Sequence, residues 1–88
     1  MMTDPGIMIE RTQLGVRMEK RMVKVLKALA EYHDLSLGDL LEGIVLHAFE
    51  GQTAFGGESR ELIRKLKDVY GMDYGVESAH RFREAADG

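Results

Sequence analysis

The sequence predicts a mainly α protein with one short β-strand, and three observations carry that prediction. Residues Thr12 to Met18 alternate polar and apolar side chains, the periodicity of a strand. Two segments of helical spacing follow, from Glu19 to Tyr32 and from Ser36 to Phe49, separated by the polar turn His33-Asp34-Leu35. No second segment of comparable strand quality follows the first. A lone strand leaves its backbone N–H and C=O groups unpaired, so its natural partner is the same strand of another copy of the chain.

Composition sets the outer bounds. With 88 residues the chain forms one small domain, too short to hide much apolar surface alone, which points to shared burial in an oligomer. The hydrophobic fraction of 44% and charged fraction of 31% are those of a folded globular protein. The absence of Cys excludes disulfides and Cys-based metal sites and fits a reducing cytoplasm. There is no basic-then-apolar leader pattern and no apolar run of membrane-spanning length, so a cytoplasmic protein with no membrane partner is expected.

The net charge of −3 hides an uneven distribution. From Arg11 to Lys27 the six basic residues Arg11, Arg17, Lys20, Arg21, Lys24 and Lys27 stand against the single Glu19, whereas Glu31, Asp34, Asp39, Glu42 and Glu50 follow. Salt screens charges beyond roughly 8–10 Å, so local charge and not the total decides whether a phosphate is attracted. The strand and first helix therefore favour an anionic partner.

In the strand, Leu14, Val16 and Met18 share one face, and Arg11, Gln13, Gly15 and Arg17 the other. Met22, Val23, Val25, Leu26, Leu29 and Ala30 form the apolar stripe of the first helix, with lysines around its outside. Ser36 followed by Asp39 resembles a capping box and starts the second helix. Its apolar set, from Leu37 to Phe49, is broad enough to be nearly surrounded by protein. Gly43 inside that helix costs about 1 kcal/mol relative to Ala, a cost that close approach of another backbone would explain.

Glycines end the second helix in the loop Glu50 to Gly57. Ser59 is expected to cap a third helix running to about Tyr70, with Leu62, Ile63, Leu66, Val69 and Tyr70 on its buried side and Gly71 as C-cap. A weak final helix is expected from Val76 to Ala86, anchored by Ala79 and Phe82. At the N-terminus Asp4-Pro5-Gly6 marks a turn or flexible arm.

Strand, helix, short turn and helix over Arg11 to Phe49 resemble the ribbon-helix-helix family of bacterial and phage repressors, of the Arc and MetJ type. The resemblance implies an intertwined homodimer. Its two strands would pair as an antiparallel intersubunit ribbon, its four helices would enclose a shared core, and C-terminal helices would be appended. On that plan residues 1–9 are a flexible arm, residues 10–50 the dimerisation and DNA-binding domain, and residues 51–88 a loop plus helical extension. The implied dimer core is Leu14, Val16, Met18, Leu26, Leu41, Ile44 and Val45. Positions where Arc-type relatives bury an Arg–Glu–Arg network fall on Leu35, Leu40 and Ile44, which implies a hydrocarbon core little affected by salt.

The same resemblance implies a repressor whose ribbon enters the major groove of double-stranded DNA, with Gln13, Gly15 and Arg17 at the base-reading positions. Gln can make a bidentate contact to adenine and Arg to guanine, each worth roughly 1–3 kcal/mol of discrimination, whereas Gly15 offers backbone only. Arg11, Lys20, Arg21 and Lys24 are the candidate phosphate contacts. The N–H groups of Ser36 and Leu37, at the positive end of the second helix, are the implied phosphate clamp. Asp34 and Asp39 flank that clamp, and Glu42 and Gly43 occupy a stretch where relatives often carry arginine.

Other chemistries find little footing. His33, His47 and His80 have neither ligand spacing nor Cys partners, so no metal and no cofactor are expected. Six irregularly spaced Met residues read as core filler. Gly56-Gly57 is not a phosphate-binding loop and no nucleophile–base constellation is present, so no enzyme is expected. The alternative function is an antitoxin or protein-interaction module that binds a toxin or other protein through residues 59–86.

Overall fold

A computed structural model describes residues 6–85. The described residues form three α-helices, α1 (Lys20–Tyr32), α2 (Leu37–Phe49) and α3 (Gly57–Tyr70), followed by a single 3₁₀ turn at Val76–Ser78. Helix α1 is central and packs against both α2 and α3.

Among the described residues there is no β-strand. That finding overturns the fold class expected from the sequence: the alternating segment from Thr12 to Met18 has no ladder, and the described residues form three helices without a ribbon. The reason is physical. Alternation sorts side chains to two faces but supplies no hydrogen-bond partner, and a strand exists only where another backbone pairs with it. Residues 6–19 instead form an irregular arm, on which Leu14 is 75% and Val16 64% exposed. Of the expected N-terminal turn, Asp4 and Pro5 lie outside the described residues.

Local chemistry explains where the helices start and stop. Glu19 caps α1, its carboxylate accepting the Met22 amide at 3.2 Å, so it stands just before the helix. Ser36 caps α2 as expected, its Oγ accepting the Asp39 amide at 3.1 Å. Ser59 does not cap α3. That helix begins two residues earlier, behind Gly56, without a side-chain cap.

All three helices end in the same hydrogen-bonded motif. A residue at positive φ reverses the chain, and the amide after it reaches back five residues. Asp34 (φ 57°), Gly51 (φ 68°) and Gly71 (φ 67°) hold the reversing position. The returning bonds are Leu35 to Ala30 (2.9 Å), Gln52 to His47 (2.9 Å) and Met72 to Lys67 (2.8 Å).

The core is small. Val25, Leu29, Ala30 and Leu40 are buried, and Leu26, Ile44, Phe55, Leu62, Ile63, Leu66, Tyr70 and Met72 close around them. Thus Leu26 and Ile44, expected in a dimer core, pack inside one chain. Of the three positions aligned with the relatives' ion network, Leu40 is buried, Ile44 half-buried and Leu35 exposed.

Helix α2 is not surrounded by its own chain: Val45, Leu46 and Phe49 are exposed. A Cβ built on Gly43 meets nothing within 4 Å, so no backbone of this chain approaches it closely. The expected final helix reduces to the turn at Val76–Ser78, and its last residue, Ala86, lies outside the described residues.

The molecule exposes 8018 Å², against about 5,200 Å² for a compact monomer of 9.9 kDa. Its radius of gyration of 15.6 Å likewise exceeds the roughly 12 Å expected of a compact chain this long.

Candidate nucleic-acid interface

Gln13, Gly15 and Arg17 all lie on the exposed arm, and Arg17 at its base meets the C-terminal segment. Gln13 makes no hydrogen bond among the described residues, and a Cβ on Gly15 would meet open space. The Arg17 side chain is 84% exposed, and its Nη2 lies 3.0 Å from Glu84 Oε2.

Arg11 is occupied. Its Nε and Nη2 grip Glu42 at 3.0 and 2.8 Å, and Nη2 also reaches Asp39 at 3.3 Å. These contacts hold the Glu42 carboxyl below its ordinary range and push the Arg11 guanidinium up, the hydrogen bond between them being the main cause in both. The arm is thereby tacked along the acidic first turns of α2. Asp39 and Glu42, which would repel a phosphate, are partly neutralised by the same arginine.

Arg21 is a structural residue. Its guanidinium touches Glu19 at 3.1 Å, Asp73 at 3.3 Å and the Gly71 carbonyl at 2.9 Å, and it lies over the Tyr74 ring at 5.3 Å from the centroid. It binds the chain after α3 to the start of α1. The Tyr74 hydroxyl donates to Glu19 at the same junction.

Lys20, Lys24 and Lys27 are exposed along α1, and Lys24 Nζ stands 5.9 Å from the centre of the Tyr70 ring. Ser36 is exposed and Leu37 half-buried at the start of α2. The Asp39 amide is taken by the Ser36 hydroxyl, and helix geometry leaves the Leu37 and Gly38 amides without intrahelical partners. Of the expected dimer-core residues, Leu14, Val16, Met18 and Val45 are exposed and Leu41 is half-buried.

The site therefore has two parts. One is the arm with Gln13 and Arg17; the other is the lysine-bearing side of α1. The Arg17–Glu84 and Arg11–Glu42 pairs are open to solvent and screened by it, so a phosphate or base edge can compete for either arginine.

Among the contacts that the sequence does not reveal are Tyr74 on Glu19, Asp73 on Arg21, and His33 Nε2 on the Ser59 hydroxyl at 3.2 Å. Each joins residues 26 to 55 positions apart, a separation that no local pattern encodes. His47 turns its Nδ1 to the Gly43 carbonyl at 2.7 Å. No group of three or more His, Cys, Asp or Glu among the described residues is placed to hold a metal, and no helix there is long and apolar enough to cross a membrane.

No protein-family model, curated protein or solved structure matches this chain.

Proposed function

We propose that this protein is a sequence-specific DNA-binding transcriptional repressor that acts as a homodimer, reading bases with Gln13 and Arg17 from its N-terminal arm. The observation that carries this reading is the placement of those two side chains. Both are exposed on the arm that leads into α1, whose outer side carries Lys20, Lys24 and Lys27. Phosphates attracted by the lysines would bring base edges within reach of the arm, the division of labour usual at DNA interfaces. The resemblance of residues 11–49 to ribbon-helix-helix repressors adds to the reading, although no ribbon enters it.

Homodimerisation rests on surface. The chain exposes about 2,800 Å² more than a compact monomer would, an area on the scale that stable dimers bury. The apolar part of it is concentrated on the arm (Ile7, Met8, Leu14, Val16) and on α2 (Val45, Leu46, Phe49).

The second reading, an antitoxin or interaction module acting through residues 59–86, has less support. Leu62, Ile63, Leu66 and Tyr70 of α3 are engaged with the chain's own core, and Val69 is the large apolar residue that α3 leaves exposed. Selection of duplexes from a random-sequence pool tests the first reading; copurification with a stoichiometric protein partner would support the second.

A further inference from the structure

Beside the core, between α1, α3 and the segment after α3, lies an apolar groove of about 330 Å³. Met22, Leu26 and Leu29 of α1 form its floor, and Ile63 and Lys67 of α3 one wall. The roof is Tyr74, Val76, Ala79 and Phe82. This volume is in the range of small-molecule sites.

The groove is held open by polar contacts at the edges of its roof. At one end Arg21 bonds the Gly71 carbonyl and Asp73, and the Tyr74 hydroxyl bonds Glu19. At the other end Glu84 meets Arg17, and the Phe82 and Tyr74 rings pack edge to face at 5.0 Å. The roof is thus pinned to the start of α1 and the base of the arm, and hydrocarbon does not close beneath it. Walls of this kind lack dispersion partners and hold water poorly, so an apolar molecule is the favoured filling.

One of the residues that line the groove, Lys67, carries a charge at the end of its side chain. Lys67 is half-buried and has no ion pair among the described residues. No carboxylate lines the groove. Glu77, the acidic residue of the roof, turns back to its own backbone and accepts the Gly75 amide at 3.0 Å. Tyr74 presents only its ring, since its hydroxyl is committed to Glu19.

A single cationic residue among otherwise uncharged lining residues selects one ligand chemistry. We propose that this groove binds an apolar monocarboxylate, with its hydrocarbon between α1 and the roof and its carboxylate on Lys67 Nζ. Charge and shape act separately in such a site: the chain or ring supplies burial, and the lysine discriminates by sign.

Octanoate is the probe, added to the full-length protein with its six Met methyl groups followed by NMR. The expected result is saturable shifting of Met22 and Met72, which line the groove, with Met8 on the arm unmoved. On the wild type, octylammonium should bind at least tenfold more weakly than octanoate. Lys67→Met should weaken octanoate at least fivefold and leave 1-octanol unchanged, and Ala79→Trp, which fills the groove, should abolish both. Equal binding of octanoate and octylammonium would overturn the proposal, as would shifts confined to the arm or an unchanged octanoate affinity in Lys67→Met. The comparison of the two ions needs no variant, so it decides the matter even if a substitution unfolds the chain.

Discussion

The Tyr74 hydroxyl donates a hydrogen bond to Glu19 across 55 residues of sequence, joining the segment after α3 to the N-cap of α1. The same carboxylate also accepts the Met22 amide and pairs with Arg21. One side chain therefore starts a helix, neutralises an arginine and anchors the distal chain.

That arrangement predicts an acid limb of stability. The hydrogen bond from Tyr74, aided by Arg21 and the Met22 amide, holds the Glu19 carboxyl down at about 2 against an ordinary 4.5, despite partial burial. A group with a lowered folded-state pKa contributes stability above about pH 4.5 and loses it as pH falls towards 2. Glu42 and Glu61, lowered by Arg11 and Arg64, act in the same direction. Urea midpoints should be level from about pH 5 to 10 and fall below about 4.5, and Tyr74→Phe should shallow that acid fall.

At the alkaline end the sign reverses. Burial, then the Glu19 hydrogen bond, pushes the Tyr74 phenol up to about 12. Its contribution is intact below 10 and is lost as pH rises through 12. Tyrosinate absorbance that differs between wild type and Tyr74→Phe should show a step centred near 12.

Leu29, 2% exposed, is the most deeply buried side chain. Leu29→Ala should cost about 2–5 kcal/mol, and with four residues forming the buried core that loss should leave the isolated chain largely unfolded at 25 °C. Circular dichroism at 222 nm reads the outcome.

Asp34 holds a left-handed conformation (φ 57°) at the end of α1, where the equivalent positions after α2 and α3 are Gly51 and Gly71. Asp34→Gly should therefore stabilise by about 0.5–1 kcal/mol, whereas Gly71→Ala should destabilise by about 1 kcal/mol. Both are measurable as shifts in the urea midpoint at constant slope.

Leu46 and Phe49 project from α2 without contact to the core of their own chain. Replacing both with Lys should leave the helical content unchanged and shift the sedimentation coefficient from dimer to monomer. A wild type that sediments as a monomer at about 100 μM would rule out the proposed dimer.

Helix positions were legible because they are local. Apolar spacing from Met22 to Ala30, the Ser36 cap and the reversing Gly71 each act within a few residues, and the structure has all three. The strand was misjudged because alternation reports how faces are sorted, whereas a strand is a relation between two backbones. The site was half legible. Exposure of Gln13 and Arg17 follows from their polarity, but Arg21 looked like its neighbouring lysines until Glu19, Asp73 and Tyr74 came together around it. Arg11 was misleading for the same reason, since its partners Asp39 and Glu42 lie 28 and 31 residues away.

Fluorescence anisotropy decides whether the arm reads DNA. A duplex selected from a random pool would be titrated with wild type and with Gln13→Ala/Arg17→Ala, at several salt concentrations, beside an unselected duplex. If the arm reads bases, a selected motif is bound at least a hundredfold more tightly than the unselected duplex. The double substitution should remove most of that preference and lower the salt slope by about one per arm. Selection that yields no motif, or a double variant that binds the selected duplex as tightly as wild type, would contradict base reading by the arm.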